Sequence, residues 1–288
     1  MLTMVFQQAP RLRLGRRSLD DFAVMAVINR TPDSFFDTGA TYAFDAALGA
    51  VDRAVALGAD IVDIGGVKAG PGEAVGVAEE RRRVVDLVAA VRDRHPDVVV
   101  SVDTWRAEVG APVAEAGADL LNDTWGGADP ELAEVAAEHG IGLVCTHPGG
   151  LRPRTRTHRP AYDDVVADVI RHVTGEAERA AGLGVRRDAI VIDPAHDFGK
   201  NTRQSLEITR RLGELAATGW PVMVAVSNKD FIGETLGRPV ERRGVGTATA
   251  LAVTAWLGAR VFRVHDVAAA RRVLDTVTAL RGEQAGAV

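Results

Sequence analysis

One cysteine in 288 residues, Cys145, excludes a disulfide framework within the chain, and its place inside an apolar run reads as a buried thiol. Aromatic residues are scarce at 5%, and no apolar stretch approaches the roughly 18 to 20 residues that a membrane-crossing helix needs. The N-terminus also lacks the apolar centre of a signal peptide, so a cytoplasmic location with no membrane contact is the expectation. Neither sign of charge is in excess: 34 basic against 39 acidic side chains leave −5, which provides no overall field for nucleic acid. No GxGxxG follows the first apolar run, which weighs against dinucleotide binding. His147 and His196 are not spaced as zinc ligands.

At 47% hydrophobic, the chain can bury a large core. One grammar recurs along it: a short apolar run, a polar residue at its C-terminal edge, a loop and a helix. The runs are Phe22–Ile28, Asp60–Ile64, Val98–Val102, Asp119–Asn122, Ile141–Thr146, Ala189–Asp193, Pro221–Val226 and Arg260–Val264. Their β-branched residues do not alternate with polar ones, the pattern of strands buried on both faces. Helices are predicted around Phe44, over Val77–Arg94, Val109–Ala116, Pro130–His139, Val165–Ala181 and Ser205–Ala217, before Leu257, and over Val267–Leu280. ALGAD, EAGAD and WLGAR repeat a helix end in which glycine takes the left-handed conformation just before a strand. Right-handed crossovers then close eight units into an α/β TIM (β/α)8 barrel, with an open doubly wound sheet as the alternative. Residues 1–21 read as a small N-terminal hairpin, turning at Gly15-Arg16 and covering the closed end of a barrel over 22–288.

In such a barrel, polar residues that end the strands converge on one rim. The candidates are Asn29, Asp63, Asp103, Asn122, Asp123, His147, Asp193, Lys229, Arg263 and His265. Any one of them alone reads as a loop cap or a strand-end hydrogen bonder. Together, carboxylates and an amide can accept from a flat heterocycle while a lysine meets its carbonyl oxygen. Arg263 can stack on a ring and hold negative charge.

NRTPDSFFDTG, GADIVDIGG, SVDTWRAEV, LNDTWGG, VIDP, FGK, SNKDFIG and RVHDV occur in the order of the dihydropteroate synthase signatures, and Met25 to Leu280 resembles that family. The resemblance implies an eight-stranded barrel, a homodimer, and magnesium-assisted replacement of a pterin diphosphate's leaving group by para-aminobenzoate. Matched motif by motif, Asp103, Asn122, Asp193 and Lys229 correspond to the pterin-recognising set. Arg263 and His265 correspond to the residues that shield the ring and hold diphosphate, and Asn29 to the asparagine near diphosphate and metal. The resemblance thus implies Asn29, Lys229, Arg263 and His265 as the catalytic set, with magnesium held by Asn29, phosphate and water.

Departures cluster beside this set. A GGESTRPG-like loop becomes Gly65-Gly66-Val67-Lys68-Ala69-Gly70-Pro71-Gly72, so the arginine expected to engage diphosphate aligns with Gly70. Losing such a donor costs about 2 to 4 kcal/mol, roughly tens- to a thousand-fold in rate. An SRKSFIG-like loop becomes SNKDFIG, which places Asp230 where anionic para-aminobenzoate would approach. Opposed charges about 4 Å apart repel by roughly 4 kcal/mol at an effective dielectric near 20. An MHMRG-like motif is Thr146-His147-Pro148-Gly149-Gly150, and a DPGIGFGK-like motif is Asp193-Pro194-Ala195-His196-Asp197-Phe198-Gly199-Lys200. The expectation is a pterin or pterin-diphosphate binder of folate biosynthesis whose synthase activity is lost or sharply reduced, with para-aminobenzoate doubtful as a partner. The alternatives are an active synthase in which Lys68 and Arg30 compensate, a noncatalytic regulator, and a related transferase with another acceptor.

Overall fold

Every apolar run seen in the sequence becomes a strand in the computed structural model, which describes residues 10–32, 41–70, 72–155 and 161–282. Two short strands come first, β1 (Arg13–Leu14) and β2 (Arg17–Ser18), paired antiparallel. The barrel follows as β3 (Ala23–Asn29), α1 (Phe44–Ala56), β4 (Ile61–Gly65), α2 (Val77–Arg94), β5 (Val99–Asp103), α3 (Ala107–Glu115), β6 (Leu120–Asp123) and α4 (Glu131–Glu138). It continues as β7 (Gly142–Thr146), α5 (Val165–Leu183), β8 (Ile190–Asp193), α6 (Thr202–Arg210), α7 (Leu212–Ala216), β9 (Met223–Val224), α8 (Asp230–Leu236), α9 (Gly244–Trp256), β10 (Val261–Val264) and α10 (Val267–Arg281).

β3 to β10 form one parallel sheet in the order β8-β7-β6-β5-β4-β3-β10-β9. A bridge between Ile192 and Val222, with the Ile192 amide donating to the Pro221 carbonyl at 2.9 Å, joins its two edges. The expected (β/α)8 barrel therefore closes, at its weakest point. The seventh barrel strand spans only Met223–Val224, shorter than the Pro221–Val226 read from sequence. Pro221 has no amide to contribute to the ladder. Two further differences concern helices. The run from Ser205 to Ala217 breaks at Arg211, whose guanidinium ties Asp164, Glu207 and Glu214 together. A short α8 follows Lys229, a helix that the sequence reading did not assign. Gly58, Gly117 and Gly258 of the repeated helix ends take φ of 93°, 108° and 105°, as the repeat predicts.

Strand alternation divides the core. Val24, Ala26, Val62, Val100, Leu121, Cys145, Ile192 and Phe262 face the helices. Met25, Ile61, Val99, Leu120, Val144, Val191, Met223 and Val261 fill the barrel interior, and Leu12, Leu14 and Leu19 join them from the hairpin. The hairpin turns at Gly15, whose φ is 54°, and closes the N-terminal end of the barrel, as expected of residues 1–21, although it pairs only Arg13–Leu14 with Arg17–Ser18 and residues 1–9 of that expectation lie outside the described residues. Burial of its three leucines contributes about 1.5–3 kcal/mol each. One layer further along the same inward parity, the apolar residues give way to Asp63, Ser101, Asp103, Asn122, Thr146, Asp193 and Arg263. The interior is therefore oil at one end and polar at the other.

Candidate active site at the C-terminal mouth of the barrel

Arg263, on β10, reaches across the interior. Its Nε donates to Asp63 Oδ2 at 2.7 Å and its Nη2 to Asp103 Oδ2 at 3.1 Å. Asp63, fully buried, also accepts from Asn122 Nδ2 at 3.0 Å and Ser101 Oγ at 2.6 Å. Thr124 Oγ1 donates to Asp103 Oδ1 at 2.7 Å. Four strands are thus stapled by one hydrogen-bonded network. Such a network is worth most when every member is satisfied, and it sets the positions of Asp103, Asn122 and Arg263 before any ligand arrives.

The charges are unevenly held. Burial pushes the Asp103 carboxyl up to about 7, and the neighbouring Asp63 charge adds to this against the pull of Arg263. Burial also raises Asp193, whose Oδ1 accepts from the Ala195 amide at 2.7 Å. Arg263 is buried, which disfavours its charge, but Asp63 and Asp103 outweigh that and raise its pKa. Burial lowers Lys229, whose ammonium lies 4.8 Å from the centre of the Phe198 ring. Phe198 packs edge-on against Trp125. These aromatics form a wall of the mouth that the sequence reading quoted in FGK and LNDTWGG without assigning it a role.

His265 stands beside Ser227, with Nδ1 and Oγ 3.0 Å apart. Ser227 Oγ also accepts from the His265 amide, so one hydroxyl fixes both the backbone and the ring of this residue. Burial, with Arg263 and Lys229 nearby, lowers His265 to about 4. At neutral pH it therefore offers a hydrogen bond and no charge.

Two rim candidates belong elsewhere. Asp123 has the outward parity, and its oxygens cap the following loop by accepting from the Trp125 and Gly127 amides. His147 lies past the strand end, where its Nε2 contacts Asp168 at 3.0 Å and its ring packs on Tyr162 and His172. Lys200, of the FGK motif, is structural: its ammonium donates to the carbonyls of His147, Ala195 and Phe198.

The altered loops are organised in their own way. Ala195 and Asp197, where the family motif has glycine, adopt φ of 51° and 70°. An L-residue there costs about 1–2 kcal/mol. Asp197 Oδ2 accepts from the Phe231 amide in the first turn of α8, and its Oδ1 from Ser205 Oγ, so the loops after β8 and β9 are tied together. Asp230 does not crowd the mouth as expected. Its side chain is 66% exposed and pairs with Arg243 at 2.9 Å, so its charge is screened and compensated. Arg30 is already engaged by the carbonyls of Tyr42 and Arg83 and cannot stand in for the missing arginine. Arg154 donates to the Gly70 carbonyl at 3.4 Å, and a Cβ built at Gly70 would meet Lys68 Cε at 3.6 Å. Two cations therefore border the changed loop, but neither comes from the lost position.

Asn29 ends β3, and its Oδ1 lies 3.6 Å from where a Cβ on Gly65 would be. Among the described residues, no group of three or more histidine, cysteine or acidic side chains is arranged to hold a metal. Asp33 and Ser34 of the first signature lie outside the described residues.

A family model described as "Pterin binding enzyme" matches residues 25–265. A Mycobacterium leprae (strain TN) protein called "Inactive dihydropteroate synthase 2" is 55% identical over 263 residues, covering 90% of each chain. Its namesake in Mycobacterium tuberculosis (strain ATCC 25618 / H37Rv) is 55% identical over 273 residues, covering 93% of this chain and 86% of its own. Among solved structures, Yersinia pestis dihydropteroate synthase in a sulfonamide drug complex superposes with a TM-score of 0.89 at 34% identity, covering 95% of this chain and all of that one. The signatures, the closed barrel and these likenesses agree, and the chain belongs to the pterin-binding dihydropteroate synthase family.

Proposed function

We propose that this chain binds a pterin, or a pterin diphosphate, at the barrel mouth and has lost or sharply reduced dihydropteroate synthase turnover. The observation that carries the reading is an intact, fully bonded Arg263–Asp63–Asp103–Asn122 network beside a loop with Gly70 in place of the expected arginine. Arg30 is committed to backbone carbonyls, Arg154 to the backbone of the loop itself, and His265 is neutral at pH 7. Positive charge for a departing diphosphate then rests on Arg263, which already bridges two carboxylates, and on Lys68 of the changed loop, which lacks a guanidinium fork. The 55% identity to proteins called inactive supports the same conclusion. Magnesium fits only together with diphosphate: Asn29 would contribute one neutral oxygen, with phosphate and water supplying the remaining ligands. Bound there, the ion would neutralise diphosphate charge.

The para-aminobenzoate side is less obstructed than Asp230 suggested, so the deficit belongs to the diphosphate side. The test is titration with 6-hydroxymethyl-7,8-dihydropterin diphosphate in magnesium, then addition of para-aminobenzoate with detection of released diphosphate. Binding without release is expected. Turnover comparable to ordinary family enzymes would return the chain to the active synthases.

We further propose that the chain is a homodimer. Support comes from α9, which has no charged residue and exposes Val245, Val253 and Trp256, with Leu280 of α10 also exposed.

A further inference from the structure

His147 lies past the end of β7 and His172 on α5, and their rings stand 5.2 Å apart at 84° to one another. His147 Nε2 lies 3.0 Å from Asp168 Oδ2, one helical turn before His172, and Arg171 donates to the other oxygen of that carboxylate. A carboxylate accepts, so Nε2 donates to it and Nδ1 of the neutral ring presents a lone pair. That Nδ1 is buried and has no partner, and the same holds for His172 Nε2. Two buried ring nitrogens without partners are destabilising, and apolar side chains of similar size would avoid the penalty. Solvent reaches neither of them. Two imidazoles on one tetrahedral ion, each nitrogen about 2.0–2.1 Å from it, have ring centres about 5 Å apart, which is the separation found here.

We propose that His147 Nδ1 and His172 Nε2 are the protein ligands of a divalent metal ion of the zinc class. Asp168 is then the positioning residue: it takes the Nε2 proton of His147 and turns the other ring nitrogen to the ion, as carboxylates behind metal-bound histidines do. Imidazole pairs suit zinc, copper and nickel, whereas magnesium and calcium prefer oxygen. Among the described residues no third histidine, cysteine or acidic side chain is arranged as a ligand, so the other positions on the ion fall to water. A cavity of about 550 Å³, lined by both histidines with Asp168, Trp125, Pro148 and Arg152, provides the path of entry. The position is separate from the magnesium proposed at Asn29, since β7 and β3 lie four strands apart around the sheet. Its effect is to join the loop after β7 to α5.

The test is a calorimetric titration of the full chain with Zn²⁺, in magnesium buffer and without any pterin, with a melting curve for each protein. The wild type is expected to bind one equivalent that magnesium does not displace, and to melt higher with zinc, because an ion that binds only the folded chain stabilises it. Asp168→Asn should weaken zinc about 10- to 100-fold. His147→Gln and His172→Gln should each weaken it about 100-fold and abolish the rise in melting temperature. His95→Gln, which removes the histidine beside Asp52, should leave zinc affinity within about twofold. If burial keeps His147→Gln from folding, His172→Gln decides alone, since His172 is only partly buried. A wild type that binds no zinc, or a His172→Gln protein that loses less than tenfold in affinity, overturns the inference. So does zinc in a crystal soaked with it whose anomalous signal lies anywhere but between these two rings. Because no pterin is present, none of these failures touches the pterin reading.

Discussion

His196 sits where the DPGIGFGK-like motif has isoleucine. It is fully buried, its ring stacks on Phe231, its Nε2 contacts Thr209 Oγ1 at 3.1 Å, and its Nδ1 has no partner. Burial, with Lys200 and Lys229 nearby, lowers its pKa to about 3. The unfolded chain takes up a proton on this residue near pH 6.5, while the folded chain does not until about pH 3. Its contribution is therefore fully present above pH 6.5 and is lost as pH falls toward 3. His196→Ile removes the titration, and Thr209 Oγ1 keeps its bond to the Ser205 carbonyl. Measured by urea unfolding, the two proteins should differ by no more than about 1 kcal/mol at pH 7. Between pH 7 and pH 5 the difference should move in favour of isoleucine by about 2 kcal/mol, at 1.36 kcal/mol per pH unit below 6.5. A difference unchanged between the two pH values would mean that the imidazole is not held neutral.

At the scale of elements, the loop carrying Lys229 shows how departures from a family pattern compensate one another. Asn228 adopts φ of 57°, and its amide donates to Thr247 Oγ1 while its carbonyl accepts from Arg243 at 2.8 Å. The same Arg243 Nη1 pairs with Asp230, and Asp197 caps the first turn of α8 from the neighbouring loop. Arg243→Ala should cost about 1–2 kcal/mol, because it leaves a strained backbone carbonyl without its charged donor. Asp230→Ser should cost under about 1 kcal/mol, since that ion pair is solvent-exposed. Denaturant unfolding of both variants, with hydrogen exchange over 230–236, checks this; equal losses would count against a shared latch. None of it was legible in the sequence, where Asp230 reads as a charge in the mouth and Arg243 carries no local signal. Local pattern identifies a carboxylate, but the partner that turns it away lies on another element. Strand ends were legible for the opposite reason. Buried parallel strands are near-continuous apolar runs, so the first polar residue after each run marks the rim, and Asp103, Asn122, Asp193 and Arg263 were read this way. Asp63 was seen on that rim but not placed in the binding set, although three donors converge on it. Phe198 and Trp125 were missed because an aromatic wall depends on loop geometry rather than on strand period.

On the scale of the whole molecule, the ring of helices is uneven. Most of them present charges outward, as α2 does with Glu79 and Arg82, whereas α9 has thirteen residues and no charge at all. Val245 is 82% exposed, and Thr249, Val253 and Trp256 follow it at helical spacing along one stripe. The adjacent α10 adds Leu280, 72% exposed. Single exposed apolar residues are ordinary, but a stripe continued across two packed helices marks an interaction face. A second copy of the chain is the partner that the family resemblance implies. A twofold contact through α9 would set each stripe against its own equivalent, and a stable interface of this kind buries about 1,200–2,000 Å² in total. The wild-type chain should therefore sediment at about twice its 30.5 kDa. Val245→Glu combined with Val253→Glu should convert it to monomers with an unchanged circular dichroism spectrum, because both positions are exposed in the single chain. Leu57→Glu, at an exposed position just past the end of α1, should leave the assembly intact. The network of Arg263, Asp63, Asp103 and Asn122 forms within one chain, so the monomeric variant should keep its pterin affinity within about twofold. A wild type that sediments as a monomer, or a double variant that remains dimeric, would remove α9 as the contact face.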